Sequence, residues 1–219
     1  GVYQEAIEIP DRVVLVNHRL PAEGSVKQRL RWLLDQKSVD DQDRVTILAP
    51  PDADCAVRFR QGRLQGIFGC WIVGREGVDQ TGIAGEATDA LAVVHCSIED
   101  FSAGGIVVDR CGKEAPENGL NVVGSRLRHN ARKRGGGIFA RRSCLRVEKV
   151  LLEDNRANQG AGLFAVDARA PIELDEVGFR NNRAAAEQGP DITESRPQEI
   201  VKAPGHGGGA CIMRSDVRL

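Results

Sequence analysis

The stretch N155-R-A-N-Q-G-A-G-L-F164 decides the fold, because it is one of a series. A close relative of it, N130-A-R-K-R-G-G-G-I-F139, lies upstream, and a degraded one, N182-R-A-A-A-E-Q-G-P-D-I192, lies downstream. Repetition at a fixed period is the mark of an architecture built from stacked units. Short apolar strings before the phrase extend the series to five: GCWIVG (69–74), HCSIED (95–100), GSRLRHN (124–130), KVLLEDN (149–155) and EVGFRNN (176–182). Their central residues, Ile72, Ile98, Leu127, Leu152 and Phe179, recur every 25 to 29 residues. A second column follows a glycine in each copy: Ile83, Ile106, Ile138, Leu163 and, after GPD, Ile192. A third precedes the first: Leu64 and Ile67, Leu91 and Val93, Leu120 and Val122, Leu145 and Val147, Ile172 and Leu174.

Each copy thus holds three short alternating segments separated by turn residues, which is strand periodicity. Three strands in ~25 residues cannot bury a face alone, but stacked copies can, with rungs about 4.8 Å apart. The reading is an all-β, right-handed, single-stranded parallel β-helix of about six coils. Asn130, Asn155 and Asn182 then form a column at a bend, where left-handed backbone and stacked amides are favoured. The next column, one residue past the central apolar position, holds Glu99, Arg128, Glu153 and Arg180 in alternating sign and is expected to face outward.

NARKRGGGIF and FRNNRAAAEQGPDI (179–192) resemble the GG-x-I and F-x-x-N repeats of polymorphic outer-membrane-protein-type passenger domains. More broadly the chain resembles right-handed parallel β-helix proteins of the pectate-lyase-like superfamily. The opening GVYQEAIEIPDRVVLV (1–16) is similar to the first coil of such proteins, through Gly1, Tyr3, Glu5, Ile7, Ile9, Val13, Val14 and Leu15. The resemblance implies a secreted or cell-surface protein, whereas a 28% charged chain with six cysteines points inside the cell.

The organisation expected is one β-helix domain over 1–219. It comprises a first coil (1–16), a helical insertion (17–44), repeat coils (45–192) and a C-terminal cap or tail (193–219). SVKQRLRWLLDQ (25–36) places Val26, Leu30, Leu33 and Leu34 on one helical face behind a Ser25 cap, with Trp32 off it. Such a helix covers an edge strand or meets a partner. DRVTILAPPDAD (43–54) reads as a strand and a Pro-marked turn, and Ala210 to Met213 as a final strand beyond a loop holding His206.

A net charge of −1 and a pI of about 6.5 give no electrostatic case for nucleic acid or an anionic membrane. No apolar run approaches the ~20 residues of a membrane span. No signal peptide pattern opens the chain, which starts without Met and reads as a fragment or processed form. The cysteines at 55, 70, 96, 111, 144 and 211 show no C-x-x-C or zinc spacing, and no cofactor or metal motif is present. Free thiols are expected, with Cys70 and Cys96 stacked inward at one repeat position.

Candidate chemistry lies one residue past the charge column, at Asp100, His129 and Asp154, followed by Asn181. Carboxylates flanking an imidazole suit acid–base work, and glycoside hydrolysis needs a carboxyl pair about 5–9 Å apart. Two coils separate Asp100 from Asp154 by about 9.6 Å. The plainer reading is that these are turn residues bonded to their own backbone. A basic cluster, Arg132, Lys133 and Arg134 with Arg141 and Arg142, offers a seat for phosphate, nucleic acid or an acidic partner. Phe139 beside it is placed near the wall. The function expected is a non-catalytic structural or protein-binding scaffold, contacting a protein or larger assembly through Arg128 and Arg180. The alternative is a carbohydrate-active lyase or hydrolase using Asp100, His129 and Asp154.

Overall fold

The computed structural model describes residues 2–3, 6–9, 14–16, 45–112, 118–185 and 208–218. The segments expected to form the helical insertion (17–44) and the His206 loop lie outside them. Strands in these residues build three parallel seven-stranded sheets. The first holds β1 (Val2–Tyr3), β4 (Val45–Leu48), β7 (Cys70–Val73), β10 (Ser97–Glu99), β13 (Arg126–Arg128), β16 (Leu151–Glu153) and β20 (Gly178–Arg180). The second holds β2 (Ile7–Ile9), β5 (Cys55–Arg60), β8 (Thr81–Glu86), β11 (Ile106–Asp109), β14 (Ile138–Arg141), β18 (Leu163–Val166) and β22 (Ala210–Met213). The third holds β3 (Val14–Val16), β6 (Gln65–Phe68), β9 (Leu91–Val94), β12 (Leu120–Val123), β15 (Leu145–Glu148), β19 (Ile172–Asp175) and β23 (Val217–Arg218). A two-stranded sheet pairs β17 (Arg156–Ala157) with β21 (Arg183–Ala184). The chain is therefore a parallel β-solenoid, with about five turns running through 45–175. No helix among the described residues is long and apolar enough to cross a membrane.

The register follows the apolar columns. Ile72, Ile98, Leu127, Leu152 and Phe179 pair in succession, as do Ile83, Ile106, Ile138 and Leu163. The second column continues at Ala210, which pairs with Leu163; Ile192 lies outside the described residues. Two positions differ from expectation. Gln65, not Leu64, pairs with Leu91 and is fully buried, leaving Leu64 exposed. The amide's Nε2 donates to the Ile9 carbonyl at 2.6 Å, while its Oε1 is buried without a partner among the described residues. Phe179 is 38% exposed rather than buried, because β20 ends its sheet and no described strand stacks beyond it.

Most corners are turned by a residue in the left-handed region. Gly69, His95, Gly124, Lys149 and Glu176 turn from the third sheet into the first, and Ala87, Arg110, Arg142, Asp167 and Arg214 close the second. The next residue points inward and is small or polar: Cys70, Cys96, Ser125 and Val150 at one corner, Thr88, Cys111 and Ser143 at another. Hydroxyls there accept backbone N–H groups from the preceding rung, Ser125 from Cys96 at 3.1 Å and Ser143 from Cys111 at 3.0 Å. Cysteine fits these seats as a small hydrophobe. All six cysteines are free thiols.

The glycines of the repeated phrase mark the closest approach of backbones. A Cβ on Gly136 would stand 2.5 Å from the Arg156 carbonyl oxygen, 2.8 Å from that of Asn130 and 2.9 Å from that of Ala161. Gly135 and Gly160 also take positive φ, which glycine adopts without strain.

Candidate functional site

The corner between the first and second sheets differs from the other two. Its left-handed residues are Asp100, His129, Asp154 and Asn181, with φ of 65°, 54°, 52° and 51°. Asn130, Asn155 and Asn182, expected to take that conformation, come one residue later and turn inward. Asn130 and Asn155 are fully buried. Each asparagine Nδ2 donates to a carbonyl of the preceding rung: Asn130 to Ile98, Asn155 to Leu127 and Asn182 to Leu152. Each Oδ1 accepts the backbone N–H of the rung before, at Phe101, Asn130 and Asn155. The amide stacking is present; the strained backbone has moved one residue upstream, where an outward side chain leaves the interior seat free for the amide.

The residues on either side of this ladder face out and line one half-open groove of about 810 Å³. On one side run Asp100, His129, Asp154 and Asn181; on the other run Ser102, Ala131, Arg156 and Arg183, with Arg75 and Glu76 at the early end. The three residues singled out from sequence are thus brought together. His129 Nδ1 stands 3.5 Å from Asp100 Oδ1, and its Nε2 stands 3.9 Å from Asp154 Oδ2. These separations place an imidazole between two carboxylates without a direct hydrogen bond. All three side chains are roughly half exposed. Among the described residues no group of three His, Cys, Asp or Glu side chains is placed to hold a metal ion.

The alternating column beside the groove is stacked in register: Glu99 with Arg128, Arg128 with Glu153, Glu153 with Arg180. Its carboxylates are not open to solvent as expected. Glu99 is 2% exposed and Glu153 5%. They lie on the outer face but beneath larger side chains. The Trp71 indole and Arg128 both donate to Glu99. Arg126 donates to Glu153, and Arg180 Nη1 lies 3.3 Å from its other oxygen. The Arg126 hydrogen bond, with the charges of Arg126, Arg180 and Arg128, holds the Glu153 carboxyl below the usual carboxylate range. Trp71 and Arg126 were not legible as part of this arrangement, because both are offset by one pleat from the charge column and meet it only across rungs.

The basic cluster separates. Arg141 and Arg142 both bind Asp109, at 3.1 and 2.7 Å. Burial raises the Asp109 carboxyl, but the Arg142 and Arg141 hydrogen bonds outweigh it and leave the group below its usual range. Arg132 and Arg134 lie over phenyl rings, 4.5 Å from the centre of Phe139 and 5.6 Å from that of Phe164. Those rings are stacked at 5.7 Å, in register on the wall strands β14 and β18, one residue past the core column of Ile138 and Leu163. Burial lowers the Arg132 pKa, and Arg141 adds to that. Lys133 is exposed.

No family model, no curated protein and no solved structure matches this chain.

Proposed function

We propose that the chain is a non-catalytic scaffold that holds another protein or a larger assembly along its flank. The observation that supports this most is the state of the outer carboxylates. Glu99 and Glu153 are each covered and hydrogen-bonded by arginines, so their oxygens are engaged within the ladder. A ladder of that kind presents Arg128 and Arg180 to a partner over a flat, repeated surface. The coil is read as right-handed, the hand that parallel strand crossovers adopt almost without exception. The count of six coils and the pectate-lyase-like kinship belong to the same reading and rest on the repeat pattern.

One observation favours the alternative, a polysaccharide lyase or hydrolase. Asp100, His129 and Asp154 share a recessed groove with Arg156 and Arg183, so carboxylates and cations converge there. A panel of uronic-acid and neutral polysaccharides separates the two. No turnover is expected. Turnover that disappears in Asp100→Asn or Asp154→Asn would overturn the scaffold and make this groove an active site.

A further inference from the structure

Three arginines line the groove and make no salt bridge among the described residues: Arg75, which donates to the Ala49 carbonyl, and Arg156 and Arg183. Arg156 and Arg183 pair directly across β17 and β21, one rung or about 4.8 Å apart. Both are exposed, both line the groove, and neither makes a salt bridge among the described residues. Like charges directly opposite one another destabilise a strand pair. Elsewhere on this solenoid the stacked arginines alternate with acids or converge on one: Arg128 on Glu99, Arg126 and Arg180 on Glu153, Arg141 and Arg142 on Asp109. The nearest acid in sequence, Asp154, directs its carboxylate to His129. Arg132 and Arg134 lie over phenyl rings instead, whereas Arg156 and Arg183 have neither an acid nor a ring among the described residues, and they line a recess.

We propose that Arg156 and Arg183 form a seat for a tetrahedral oxyanion, a phosphate or sulfate group borne by the molecule that lies in the groove. Two guanidinium forks one rung apart can each give two parallel N–H bonds to a group with three or four oxygens. A single carboxylate has two oxygens and satisfies one fork, leaving the other unpaired. The floor beneath is the asparagine ladder, whose amides are committed to the backbone and do not compete for the anion. The Asp100, His129, Asp154 row on the opposite wall disfavours a uniformly anionic polymer and favours a ligand that bears its charge at one point. The inference rests on the scaffold reading and adds the groove, which runs beside the Arg128 and Arg180 ladder, to its contact surface.

The test is titration of the full chain with inorganic phosphate, at one fixed pH and low salt, followed by calorimetry. Saturable one-site binding is expected, weakened at least about tenfold in Arg156→Gln and in Arg183→Gln. Arg146→Gln, on the third sheet, is expected to bind as the parent does. Sulfate should compete with phosphate and acetate should not. Both arginines are exposed, so far-UV circular dichroism should be unchanged in the variants. Binding that does not saturate, that survives both substitutions, or that acetate matches overturns the seat. A phosphoserine peptide and a sugar phosphate, titrated in parallel, distinguish the carrier of the group; either one binding independently of both arginines also overturns it. Polysaccharide turnover is read in a separate assay, so failure of the scaffold reading and failure of the seat are distinguishable.

Discussion

Asn130 and Asn155 share one oxygen: Oδ1 of Asn155 accepts from the backbone N–H of Asn130 at 3.0 Å and from its Nδ2 at 3.2 Å. Asn182 repeats the arrangement on Asn155. The ladder gives an acceptor, rung by rung, to the backbone N–H groups at the corner, those of Phe101, Asn130 and Asn155.

Asn155→Ala removes an acceptor for the Asn130 N–H and a donor for the Leu127 carbonyl, both buried. A loss of about 3 kcal/mol is expected from the groups left unpaired. Urea unfolding measures it. A loss below about 0.5 kcal/mol, the range of ordinary surface changes, would mean that water replaces the amide.

Leu152 stacks between Leu127 and Phe179 and is fully buried, so Leu152→Ala should cost about 2–5 kcal/mol. Phe179→Ala should cost less, although it removes more atoms, because its ring is 38% exposed at the end of the column. Equal losses in thermal unfolding would show that Phe179 is covered in solution.

Glu153 links stability to pH. Its carboxyl is held below the ordinary range, chiefly by the Arg126 hydrogen bond. A depressed pKa stabilises the fold above the unfolded value of about 4.3, and that contribution is lost as pH falls through the lower folded value. Glu153→Gln should therefore be less stable than the parent at neutral pH, with the gap closing in acid. A gap that stays constant across this window would contradict the linkage.

The thiols should react in two classes. Cys211 is partly buried, and the other five are buried, with burial pushing the Cys55 thiol up to about 11 and raising those of Cys70 and Cys111. One fast equivalent with a thiol reagent is expected in the native protein, lost in Cys211→Ser, with the rest appearing on unfolding. A Cys70–Cys96 disulfide in non-reducing mass mapping would contradict the free pair.

The residue columns Ile72 to Phe179 and Ile83 to Leu163 were legible in the sequence, because a parallel stack puts equivalent residues in contact and repeats their polarity at the rung period. The sequence also determined that Asp100, His129 and Asp154 would share one row, since register alone places them. Only the tertiary structure decided what surrounds that row. The burial of Glu99 and Glu153 depends on where Trp71, Arg126 and Arg180 side chains fall across rungs. The left-handed corner precedes the asparagines because an inward amide and an outward side chain must alternate there. The groove itself, joining Arg156 and Arg183 to the aspartates, exists because four successive corners, at Asp100, His129, Asp154 and Asn181, bend alike. Periodicity in one dimension records which residues stack. It does not record how far side chains reach sideways, and the site is built from that reach.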